Sequence, residues 1–111
     1  MKDRDREFLR RAIEYSQRSR DHGNEPFGAV LVDSDENVLL EIENTEITDS
    51  DITGHAETNL AREAYRSFRT GVLERATIYS SCEPCPMCSG AIFWSGIGRL
   101  VYRGCLTKPD R

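Results

Sequence analysis

Gly54-His55-Ala56-Glu57 and Cys82-Glu83-Pro84-Cys85-Pro86-Met87-Cys88 constrain this chain more than any other stretches. Each is useful only if the fold carries it to the other. Together they hold one imidazole, two closely spaced thiols and a carboxylate. A catalytic zinc site takes three protein ligands of these types and keeps a fourth position for water. The carboxylate then works beside the metal rather than on it. Cys85 and Cys88 are three residues apart and share a face of one helical turn. Pro84 suits a first helical position, so the thiols are read as opening a helix. The positive end of that helix favours the thiolate that binds metal. Thr53 reads as an N-cap, which puts His55 and Glu57 at the start of a second helix. Two helix N-termini can then converge on one ion.

The same residues allow other readings. Cys85 and Cys88 could be a redox pair, since such a motif also follows a strand and opens a helix. That leaves His55 and Glu57 without a role. A structural zinc needs a fourth ligand, which Cys82 or Cys105 could supply. Iron–sulfur ligation asks for a cysteine spacing that the four cysteines do not show.

The periodicity predicts a helix from about Asp5 to Arg20, with Phe8, Leu9, Ala12, Ile13 and Ser16 on one face and Asp3 as its cap. Phe27 to Val32 is a continuous apolar run, read as a buried strand. Asp33 to Asn37 reads as a turn, and Val38 to Glu43 returns as the second strand of a hairpin. Asn44 to Thr53 reads as a loop. A helix follows from His55 to about Phe68, with Ala56, Leu60, Ala64 and Phe68 as its apolar stripe and Thr70-Gly71 as its stop. Ala76 to Ser81 is a strand, Pro84 to Trp94 a helix closed by Ser95-Gly96, and Arg99 to Arg103 a last strand. The order αββαβαβ predicts an α/β fold, a mixed sheet with helices on its faces. There is no internal repeat or linker, so residues 1–111 read as a single domain.

His55-Ala56-Glu57 followed by Pro84-Cys85-Pro86-Met87-Cys88 is the HxE…PCxxC pattern of zinc deaminases. The chain resembles the cytidine deaminase-like superfamily. Within it, the chain is most similar to the branch of guanine deaminases, small cytosine deaminases and tRNA adenosine deaminases. The resemblance runs from Glu25-Pro26-Phe27-Gly28-Ala29-Val30 to Gly98-Arg99-Leu100-Val101-Tyr102, and the block from Cys82 to Trp94 looks closest to bacterial guanine deaminases. It implies a three-layer α/β/α sandwich around a five-stranded sheet. The fold is expected to be C-terminally short, because Gly104 to Arg111 leaves room for a tail only.

The resemblance also implies roles. His55, Cys85 and Cys88 would hold one Zn2+ per chain, and Glu57 would be the catalytic proton carrier. Zinc-bound hydroxide would attack the ring carbon that bears the amino group and release ammonia. Asn44 would hydrogen-bond the base edge, Phe27 would stack on the base, and Ala29 would lie beside the ring. Asn44 could instead make an Asx turn, and Phe27 could be core. Phe93 and Trp94 read as core or dimer contact. The implied activity is hydrolytic deamination of a nucleobase or nucleoside, with guanine as first substrate. The alternatives are a tRNA-specific adenosine deaminase, a cytosine or cytidine deaminase, or a non-catalytic zinc-stabilised subunit. A homodimer is expected.

Charge narrows the partners. Between Arg20 and Arg62 there is no Lys or Arg, while eleven Asp and Glu residues occur there. Nucleic acids bind cationic surface, so this acidic interval favours a small-molecule substrate over a polyanion. Arg62, Arg66 and Arg69 form a basic stripe on the second helix that keeps tRNA in view. No apolar run reaches the ~20 residues of a membrane span. The N-terminus lacks the apolar core of a signal peptide. A cytoplasmic protein is expected, which suits reduced thiols.

Overall fold

The computed structural model describes residues 2–103. Its elements run α1 (Asp3–Asp21), β1 (Gly28–Val32), β2 (Val38–Glu43), α2 (Ala56–Ser67), α3 (Thr70–Glu74), β3 (Thr77–Ser80), α4 (Pro86–Ser95) and β4 (Arg99–Tyr102). The strands form one sheet in the order β2-β1-β3-β4. β1 is antiparallel to both of its neighbours, and β3 and β4 run parallel. A parallel pair needs a crossover, and α4 supplies it. The expected short tail, residues 104–111, lies outside the described residues.

β1 is buried along its whole length because helices cover both faces of the sheet. Val30 and Val32 join Phe8, Leu9 and Ala12 of α1, with Tyr79 and Val101. Ala29 and Leu31 point the other way, into Ala56, Leu60 and Ala64 of α2, Leu73 of α3 and Ile92 of α4. The result is three layers: α1, the sheet, and α2–α4. A strand buried on both sides needs apolar residues at successive positions, as the run from Phe27 to Val32 has. Among the described residues, no helix is long and apolar enough to cross a membrane.

The helix starts differ from the sequence reading. Lys2, not Asp3, is the N-cap of α1, and Asp3 joins Asp5 in the first turn, where acids complement the dipole. Thr53 caps nothing. Its N–H and hydroxyl both donate to Asp51 Oδ1, at 2.8 and 2.7 Å, so a local turn claims it. His55 is the N-cap of α2, and Cys85 is the N-cap of α4, with Pro86 rather than Pro84 inside the helix. Thr70-Gly71 does not end the helical region but opens α3. Gly96 closes α4 at φ 86°, a conformation that costs glycine little.

Candidate metal centre

The end of β3, the N-termini of α2 and α4, and the loop from Asn44 to Gly54 meet at one place. His55 and Cys85 both have extended backbone just before their helices, at φ −70°, ψ 145° and φ −70°, ψ 170°. An N-cap side chain ordinarily accepts a hydrogen bond from the first turn. Neither of these does, so imidazole and thiol are left to face each other. Cys88 stands one turn into α4, fully buried.

Cys85 Sγ and Cys88 Sγ each lie 3.5 Å from His55 Nδ1, and the three ligand atoms all fall within 4.8 Å of one another. Zinc bonds of about 2.0–2.3 Å at tetrahedral angles require nitrogen and sulfur to be about 3.6 Å apart. The donor set and its spacing therefore fit a zinc ion. Cys82 is not a further ligand, because its sulfur is engaged in a disulfide. Cys105, the other candidate, lies outside the described residues.

The surroundings of Cys88 hold its proton unless a cation is present. Burial pushes the Cys88 thiol well above its usual range, and the Glu57 charge adds to this. The Thr58 hydroxyl donates to Cys88 Sγ at 3.2 Å and favours the thiolate. Glu57, in the first turn of α2 and 5% exposed, stands outside the ligand trio. Burial raises its carboxyl above the ordinary range. Its own backbone N–H, the Ser80 hydroxyl and His55 offset part of that. Ser80 sits at the end of β3, and its hydroxyl also donates to the Cys82 carbonyl at 2.6 Å. One hydroxyl proton serves one acceptor at a time.

The residues read as substrate contacts differ in their surroundings. Asn44 is fully buried. Its Oδ1 accepts from the Glu46 N–H at 2.9 Å, an Asx turn, and its Nδ2 donates to Glu46 Oε1 at 3.4 Å. Phe27 is half-buried against the α2–α4 side of the core, and Ala29 is part of that core. Two surface cavities of ≈ 410 Å³ lie elsewhere, one at the opposite end of the sheet and one beside β2, and the trio lines neither.

Three residues escape the sequence reading. Glu46 Oε1 lies 3.4 Å from His55 Nε2, Thr58 holds the Cys88 sulfur, and Asn59 pins the loop. Asn59 Nδ2 faces Thr45 Oγ1 at 3.0 Å and the carbonyls of Glu43 and Gly54 at 3.3 Å. Thr58 and Asn59 directly follow Glu57, so adjacency to the motif was the one available signal. Glu46 carries none.

The model of the cytidine and deoxycytidylate deaminase zinc-binding region matches residues 2–103. A probable cytosine deaminase of Schizosaccharomyces pombe is 45% identical over 102 residues, 92% of this chain and 61% of that protein. A tRNA-specific adenosine deaminase of Haemophilus influenzae is 40% identical over 98 residues, 88% of this chain and 57% of that one. The crystal structure of guanine deaminase from Bacillus subtilis superposes with a TM-score of 0.80 at 36% identity, covering 94% of this chain and 65% of that chain. The chain thus spans about three-fifths of the length of these curated relatives.

Proposed function

The chain belongs to the cytidine and deoxycytidylate deaminase zinc-binding family, and from that premise we propose that it is a zinc-dependent hydrolytic deaminase of a free nucleobase or small nucleoside, with guanine as first substrate. The observation that carries the reading is the trio His55, Cys85 and Cys88 with the buried carboxylate of Glu57 beside it. A redox pair would leave that imidazole and carboxylate idle.

In this reading His55, Cys85 and Cys88 hold the ion. Zinc bound by them supplies the Lewis acidity that brings a water's pKa toward ~7. Glu57 takes a proton from the attacking water as the new C–O bond forms and delivers it to the adjacent ring nitrogen. It then carries the second water proton to the amino group, which leaves as ammonia when the C–N bond breaks. A carboxyl raised by burial is suited to both directions of transfer. For the base we assign Phe27 as stacking surface and Ala29 as a neighbour of the ring. Asn44 reaches the base edge by exchanging its long 3.4 Å contact with Glu46 for the substrate.

The acidic interval supports a small substrate. Exposed Arg62, Arg66 and Arg69 along and just beyond α2 favour tRNA adenosine as the second reading, and the similarity to a probable cytosine deaminase keeps cytosine on the panel. A homodimer is supported by Phe93 and Trp94, 72% and 79% exposed on α4, since large apolar side chains left in water mark contact surface. Thiols that must stay reduced to ligate suit the cytoplasm. Recovery of the Cys82 disulfide from intact cells would count against that location.

The test is ammonia release from guanine, cytosine, adenine, their nucleosides and a tRNA anticodon stem, with zinc content assayed. Turnover of one free base is expected, and Glu57→Ala should lower it by about 10²–10⁴-fold. Zinc bound with no turnover on any substrate would favour a non-catalytic subunit.

A further inference from the structure

His55 has two ring nitrogens with different neighbours. Nδ1 faces the two sulfurs. Nε2 faces Glu46 Oε1 at 3.4 Å, and each side chain is 27% exposed. We propose that Glu46 is the positioning residue of the metal centre: its carboxylate takes the Nε2–H of His55, which leaves the Nδ1 lone pair aimed at the ion. The proposal rests on the metal-site reading above. A carboxylate on the far nitrogen of a ligating imidazole fixes its tautomer and its ring orientation.

The fold holds Glu46 there from three sides. Its N–H donates to Asn44 Oδ1, and Asn44 Nδ2 returns to the same Oε1 that meets His55. Its carbonyl accepts from the Asp51 N–H at 3.0 Å, and the neighbouring Thr45 N–H reaches the Gly54 carbonyl at 2.8 Å. Gly54, directly before His55, allows the approach. A Cβ there would come within 3.0–3.1 Å of Glu46 N and Cα and of the Asp51 carbonyl. Such contacts are tight, so a side chain there would push the loop back by a few tenths of an ångström, and glycine lets it lie this close to the start of α2. Asn59 then ties Thr45 and Gly54 to the helix. The loop thus delivers one carboxylate to one imidazole nitrogen.

A purely structural Glu46 would hold the loop and leave the metal indifferent, and the test separates the two. Zinc affinity of the full chain is measured by chelator competition for the wild type, Glu46→Gln, Glu46→Ala and His55→Ala, and the His55 tautomer is read by nitrogen NMR of the metal-free protein. Loss of the outer partner should weaken zinc binding by about 10–100-fold in Glu46→Ala. Glu46→Gln keeps the size and an acceptor oxygen, so it should fall between Glu46→Ala and the wild type. The Nε2–H tautomer should dominate in the wild type and lose ground in Glu46→Ala. If Glu46→Ala folds poorly, Glu46→Gln decides. Zinc affinity and tautomer unchanged in Glu46→Gln and, where it folds, in Glu46→Ala would overturn the proposal. Unchanged affinity in His55→Ala would instead overturn the metal-site reading beneath it.

Discussion

Cys88 is held where a thiol prefers its proton, whereas the proposed zinc ligation needs its thiolate. Burial and the charge of Glu57 raise its pKa, so the group is protonated near neutrality without metal. Zinc must therefore displace that proton, and its affinity should climb with pH. Calorimetry in two buffers of different ionisation enthalpy should report at least the Cys88 proton released per zinc bound. The hydroxyl of Thr58 works in the opposite direction to burial. A hydrogen bond to a charged group contributes about 1.5–3 kcal/mol, so Thr58→Val should weaken zinc binding roughly 10–100-fold while Thr58→Ser restores it. Glu57 poses a related conflict. Its folded pKa is raised, so its contribution to stability is present below the ordinary carboxyl range and lost as pH rises through the folded value. Glu57→Gln should therefore raise the melting temperature of the metal-free protein at pH 7 while removing turnover, the usual opposition of stability and function. A lower melting temperature would contradict this. That His55, Cys85 and Cys88 come together was legible in the sequence, because donors of metal-binding type stand at two helix starts. Glu46 and Thr58 were not, because their partners are set by how the loop lies on α2 and how α2 meets α4.

At the scale of elements, the packing of α1 on β1 is set by Gly28. A Cβ there would stand 2.4 Å from the Ala12 carbonyl, 2.6 Å from the Ser16 nitrogen and 2.7 Å from Tyr15 Cβ. Helix and strand thus touch backbone to backbone, and no side-chain rotation relieves the clash. Gly28→Ala should cost about 1–3 kcal/mol, the usual range for overpacking, read as a lower urea midpoint with unchanged slope. The site would feel it too, since Gly28 pairs with Ser81 just beyond β3. The strands were readable because a doubly covered sheet writes itself as apolar runs: β2 spans the expected Val38–Glu43, and β1 begins one residue inside its run. α3 was not readable. Five residues carry too little periodicity, and α3 forms because Leu73 is buried in the core and its carbonyl accepts from the Gly98 N–H at 2.9 Å. Caps failed for a similar reason, since Asp51 competes for Thr53 and the residues that do stand at the caps, His55 and Cys85, face each other rather than their helices.

One cluster joins the two ends of the described chain. Asp5, 1% exposed in the first turn of α1, takes two hydrogen bonds from Arg99 of β4, at 3.1 and 2.8 Å, and one from the Tyr79 hydroxyl of β3 at 2.6 Å. Residues 94 apart in sequence cannot announce such a contact, and helical periodicity marks Asp5 only as the approximate start of α1. The bonds from Arg99 hold the Asp5 carboxyl far below the usual carboxylate range despite its burial, and burial with the Asp5 bond pushes Tyr79 up to about 12. A depressed carboxyl contributes stability that is complete above its unfolded pKa of ~3.9 and fades as pH falls toward the folded value. The protein should therefore lose stability below about pH 4, and Asp5→Asn should be less stable at pH 7 yet flatter across that acid range. Arg99→Ala is the harsher change, because it strands a buried carboxylate. Such losses run about 3–5 kcal/mol, and the low end applies because the Arg99 side chain is 46% exposed. Replacing both, Asp5→Leu with Arg99→Met, should cost less than Arg99→Ala alone, since no charge is then left in the interior. Urea midpoints of the three variants and the wild type at pH 7 and pH 3 test this. A double variant weaker than Arg99→Ala would mean that the cluster acts through its shape rather than its charge.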